Sequence, residues 1–118
     1  MQTNFFKKQQ SSELVKHSLS IYFDLEFDVI LTHVNESEFQ NFVKASVNEG
    51  ASIYEATLGV LLLYCHRLAN QNGGEQSSRL LFNASVVSQY FSERELITKE
   101  AYRNIALEIS ECRLKSKY

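Results

Sequence analysis

The chain contains no proline, a residue whose average usage is about 5%. Proline interrupts helices and central strands, and only four glycines occur in 118 residues. So few breakers favour long uninterrupted elements over a many-turned β-sandwich. Cysteine is scarce as well. Cys65 and Cys112 do not make a disulfide framework, and Cys65, inside an apolar run, reads as a buried thiol that behaves as a small hydrophobe. Long apolar runs are missing: the longest, residues 60–65, is far short of the roughly 20 residues of a membrane span. Residues 1–10 are polar and basic and lack the apolar segment of a secretory leader, so a soluble, cytoplasmic protein with no membrane partner is expected. Charge of one sign is also lacking. A net charge of −2 and a pI of about 5.9 argue against a chain-wide nucleic-acid surface, while local basic patches remain at the two ends.

Motifs that carry chemistry are absent too. There is no Walker loop, dinucleotide fingerprint or nucleophile elbow. His17, His33 and His66 have no partner at metal-ligand spacing, and the adjacent Cys65 and His66 would point about 100° apart on a helix. A non-enzymatic protein with no catalytic residue, no cofactor and no metal is the expectation.

What is present begins with residues 19–31, L-S-I-Y-F-D-L-E-F-D-V-I-L, in which every odd position is apolar. Leu19, Ile21, Phe23, Leu25, Phe27, Val29 and Leu31 alternate with Ser20, Tyr22, Asp24, Glu26 and Asp28, a period of two that predicts one long half-buried β-strand. Asn35 is a good N-cap for a helix carrying Phe39, Phe42, Val43 and Val47 on one stripe and ending at Gly50. Ser52, with Glu55 three residues on, has capping-box spacing for a second helix. Its centre, residues 58–65, is apolar on nearly every side, which predicts the middle of the core and a subunit interface. Gly59 in that run permits close approach of another backbone or merely weakens the helix. Residues 80–91 fit a helix or a strand, and Thr98 caps a last helix with Ala101, Ile105, Ile109 and Cys112 on one face. The predicted organisation is an N-terminal arm (1–17, with a short helix from Ser12), a strand-helix-helix core (18–70), a loop (71–79) and a C-terminal helical hairpin (80–118). The fold class is mainly α with one long β-strand, α+β.

A strand with no partner in its own chain leaves backbone groups unpaired, and a two-fold homodimer would pair it with its symmetry copy as an antiparallel ribbon. The stretch V-I-L-T-H-V (29–34), the helix capped by Asn35, the G-x-S junction at Gly50–Ser52 and the start of the next helix (51–56) resemble the ribbon-helix-helix family of dimeric DNA-binding proteins. The resemblance covers about residues 28–66. It implies a transcription regulator that reads double-stranded DNA. His33 on the ribbon would face bases, the backbone at Ser52 and Ile53 would hold a phosphate, and Lys7, Lys8 and Lys16 would form a basic arm. The alternation upstream places Val29 and Leu31 on the buried face, opposite to the family's phase, and Asp24, Glu26 and Asp28 would repel phosphates. Those three carboxylates support the alternative: a protein-binding inhibitor, immunity or adaptor protein that presents an acidic face to a basic partner.

Overall fold

The computed structural model describes the backbone of residues 2–71 and 74–116, and the side chains of 10–71 and 74–114. Six helices follow in order: α1 (Gln2–Phe23), α2 (Phe27–Ile30), α3 (Glu36–Asn48), α4 (Ile53–Asn70), α5 (Gly74–Glu93) and α6 (Lys99–Ser116). Among the described residues there is no strand, so the α+β class and the intermolecular ribbon are overturned: the fold is all-α.

The physical reason lies in the spacing. Val15, Leu19 and Phe23 stand four apart, a step that a strand face and a helix face share. The structure buries these three on α1, while Ile21, which a strand would place beside them, is 60% exposed. The helix then breaks at Asp24 (φ 53), and the rest of the alternation falls on a short link and the single turn of α2. Leu25 turns inward as the strand phase predicts, but beyond it Ile30 and Val34 are buried while Val29 (39%) and Leu31 (37%) are exposed, the reverse of that phase. The arm expected at 1–17 is helical from Gln2 and continuous with that segment. Residues 80–91 resolve as helix within α5, and the loop expected at 71–79 shortens, because α5 begins at Gly74.

Helix boundaries downstream match the sequence chemistry. The Asn35 side chain accepts from the Glu38 N–H (2.8 Å) and Glu38 returns to the Asn35 N–H (3.2 Å), a complete capping box. Gly50 ends α3 with φ +93, and the bonds Gly50 N–H to Val47 C=O and Ala51 N–H to Ser46 C=O form a Schellman motif. A left-handed residue there is strained for anything but glycine. Ser52 and Glu55 repeat the capping box for α4. Thr98 Oγ1 accepts from the Ala101 N–H, capping α6 as its sequence predicts.

The core is built on α4, against which α1, α3, α5 and α6 all pack. Leu58, Val60, Leu61, Leu62, Tyr64 and Cys65 are buried. Burial of one such aliphatic side chain stabilises by about 1.5–3 kcal/mol. The apolar run on all sides of this helix is thus accounted for by four helices of the same chain. Gly59 serves a side chain rather than a backbone. A Cβ there would lie 2.5 Å from Cζ of Phe42, whose ring lies over the bare Cα. Near the far end of α4, Ser77 donates to the Cys65 carbonyl (3.1 Å) and its hydroxyl lies 3.8 Å from Cys112 Sγ. Burial pushes the Cys65 thiol up to about 12, and neither cysteine is in a disulfide.

Candidate functional site

Two surfaces near the N-terminal end of α4 compete as a site. The first is the junction of α3–α4 with α5–α6. Ser52 Oγ donates to the Leu96 carbonyl (2.9 Å) while accepting from the Glu55 N–H. The Glu55 carboxylate accepts the Ser52 N–H through one oxygen (3.2 Å) and the Thr98 N–H through the other (3.0 Å). One side chain therefore holds the starts of two helices, α4 and α6. An open cleft of about 460 Å³ lies here, lined by residues that include Gly50, Glu93, Glu95 and Lys99. The phosphate contact expected at Ser52 and Ile53 falls at this helix start. A helix N-terminus attracts anions, but here the protein's own carboxylate already stands in that field. Glu93 and Glu95 add further like charge around the cleft.

The second surface is a groove between α1 and the first turn of α4, lined by Leu14, His17, Ser18, Ile21, Tyr22, Ile53 and Tyr54, with a volume of about 250 Å³. Its walls are mostly apolar. Ile53, expected to bind phosphate, lines it instead. Tyr22 and Tyr54 are braced from behind by Phe91, each with ring centroids 4.9 Å from it in edge-on geometry. Ser18 is buried, and its hydroxyl has no hydrogen-bond partner among the described residues. Buried hydroxyls are normally satisfied, and this oxygen is shielded from solvent, so the groove carries one unpaired polar group beneath its apolar lining.

The acidic residues continue directly from this groove. Asp24 follows two residues after Tyr22, Glu26 caps the backbone entry to α2, and Asp28 lies in α2's first turn. All three are exposed. The Ser20 hydroxyl donates to Glu26 (3.3 Å), and among the described residues no cation lies within ion-pair distance of any of the three. The structure thus sets Asp24, Glu26 and Asp28 on the break after α1 and the start of α2, not along a strand face.

Of the residues expected to contact nucleic acid, the described Lys16 and His33 side chains are engaged within their own chain. The side chains of Lys7 and Lys8 lie outside the described residues. Lys16 Nζ is 3.0 Å from Glu13 and 4.2 Å above the Phe27 ring, both within its own chain. His33 turns toward the protein: its ring meets Tyr64 edge-on at 5.5 Å, Nδ1 lies 2.8 Å from Thr32 Oγ1, and its carbonyl accepts from Arg67 (2.9 Å). The sequence reading missed the groove. Leu14, Ser18 and Ile21 recur at i, i+4, i+7, a second helical stripe beside Val15, Leu19 and Phe23, and counting period 3.6 from Leu14 would have shown it.

Among the described residues no group of three or more His, Cys, Asp or Glu is placed to hold a metal ion, and no helix is long and apolar enough to cross a membrane. Comparison of this chain with protein-family models, with curated proteins and with solved structures finds no match.

Proposed function

We propose that the chain is a non-enzymatic protein-binding module, of the inhibitor, immunity or adaptor kind, that takes a basic amphipathic helix of a partner protein. Apolar anchors of that helix enter the groove between α1 and α4, and its lysines or arginines meet Asp24, Glu26 and Asp28. The observation that carries the reading is an open apolar groove whose α1 wall runs on in sequence into three exposed carboxylates with no ion-pair partner among the described residues. Helix-in-groove recognition uses this combination: apolar anchors supply affinity and charge supplies orientation and rate. With no strand among the described residues, the chain has no ribbon to enter a DNA groove. We place the protein in the cytoplasm, where two unbridged thiols persist.

The test is a titration of the full chain with a short helical peptide of leucine, lysine and one tryptophan, read by tryptophan emission because the chain itself has none. Binding is expected to weaken as salt rises. The triple variant D24N/E26Q/D28N loses about tenfold in affinity, which corresponds to 1.4 kcal/mol. A control of equal charge change on α6, E100Q/E108Q/E111Q, loses less than about twofold, and I21R abolishes binding by placing a cation in the groove wall. Equal loss in the two triple variants, or equal binding of a peptide with glutamate for lysine, overturns the proposal.

A further inference from the structure

The outer face of α5 has an unusual composition. From residue 80 to residue 92 the chain carries no charge. On the exposed side of that stretch stand Phe82 (63% exposed), Val86 (54%) and Tyr90 (41%). At about 100° per residue these three lie within about 40° of the Val86 direction, and Arg79 and Glu93, one heptad either side, fall within about 20° of it. The stripe therefore reads Arg79, Phe82, Val86, Tyr90, Glu93, with Asn83 and Gln89 on its flanks.

This order is self-complementary. If a second α5 runs antiparallel with Val86 at the two-fold axis, Arg79 comes level with Glu93, Phe82 with Tyr90, Asn83 with Gln89, and Val86 with Val86. Every pair matches in kind: cation with anion, aromatic with aromatic, amide with amide. A two-fold interface requires that residue i meet j while j meets i, and few surface stripes satisfy that at each level. The reverse, parallel pairing would set Arg79 against Arg79 and Glu93 against Glu93. The present partners of the end charges are weak ones. Arg79 bonds Glu75 one turn away (2.8 Å), with both side chains at least three-quarters exposed, and Glu93 accepts an amide bond from Gln89 (3.2 Å) with no ion-pair partner among the described residues. Antiparallel α5 helices also align their dipoles favourably.

We propose that this face is a homodimer interface, formed by α5 against α5 of a second copy in antiparallel register about Val86. It uses none of the residues that line the peptide groove, although its Tyr90 ring lies 6.4 Å from that of Tyr22 in the groove wall. One helix pair covers less than the roughly 1,600 Å² of a standard interface, so the dimer is weak and its population rises with concentration.

The experiment is sedimentation equilibrium of the full chain across a concentration series, with helix content checked for each variant by circular dichroism. The native chain is expected to move from 13.6 kDa toward twice that mass as concentration rises. V86R, an exposed substitution, places two cations at the axis and holds the chain at 13.6 kDa throughout. R79E and E93R each weaken association about tenfold by setting like charges level. The double variant R79E/E93R, which restores opposite charges only across an antiparallel pair, returns to within about threefold of native. A chain that stays monomeric at every concentration, with the stripe then left to a different protein, overturns the proposal. So does a double variant no better than the singles. Loss of association in V86R with peptide binding intact separates this proposal from the one above.

Discussion

Two capping boxes stand seventeen residues apart, Asn35–Glu38 and Ser52–Glu55, and each glutamate does a second task. Glu38 grips Arg67 at the far end of α4 with paired bonds of 3.2 and 2.6 Å, while Arg67 also holds the His33 carbonyl. Glu55 reaches instead to the neutral Thr98 N–H at the start of α6. The first is a charge pair between side chains each more than a third exposed, and the second is an exposed, charge-to-neutral contact with backbone. Identical local chemistry thus ties the same helix to different neighbours by interactions of different strength. Salt weakens the Glu38 pair, and water can replace Glu55 at the exposed Thr98 N–H. The Ser52–Glu55 box, however, is part-buried where the Asn35–Glu38 box is exposed, so its N–H groups lose their acceptors at greater cost.

Removing Glu55 is the largest way to break that contrast. Glu55→Ala strips acceptors from two helix starts and is expected to cost about 2–3 kcal/mol in denaturant unfolding, more than Glu38→Ala in the same assay. A smaller cost at Glu55 than at Glu38 would reverse the ranking. The turn that joins the two boxes comes next. Gly50→Ala forces a Cβ onto a residue at φ +93 and should cost about 1–2 kcal/mol, although nothing lies within 4 Å of that Cβ. The loss would be purely conformational.

The α5–α6 turn offers the opposite experiment. Leu96 N–H to Phe91 C=O and Glu95 N–H to Ser92 C=O form the same motif as at Gly50, but Glu95 fills the left-handed position at φ 60. Glu95→Gly is expected to stabilise by about 0.5–1 kcal/mol, seen as a higher unfolding midpoint.

The smallest effect is in pH. The Arg67 hydrogen bond, then the Asn35 backbone bond, hold the Glu38 carboxyl below its ordinary 4.5. A carboxyl lowered in the fold adds stability that is complete above its ordinary value and is lost as pH falls through the folded one. The native chain should therefore lose stability in that acid window by slightly more than Glu38→Gln does. Equal acid profiles would detach Glu38 from the contrast.

The same boxes show what a sequence displays. Asn35, Gly50, Ser52 and Glu55 were legible because capping is local, settled within three or four residues. The second partners were not, since Arg67 and Thr98 lie 29 and 43 residues further on. The N-terminal third misled for a different reason. Leu19 and Phe23 satisfy both periods, and only the solvent-facing Ile21, read against Leu14 and Ser18, favours the helix. The groove and the α5 stripe were hidden likewise, because exposed apolar residues on a helix look like core residues until packing assigns the faces.

Enclosure of α4 by four neighbours has a kinetic corollary. Its central amides, around residues 60–65, reach solvent only when the whole assembly opens, whereas those of peripheral helices exchange through partial excursions. Deuterium uptake at that segment therefore reports the global unfolding equilibrium of this protein, and any partner that engages an outer helix will slow it by the free energy that its binding adds.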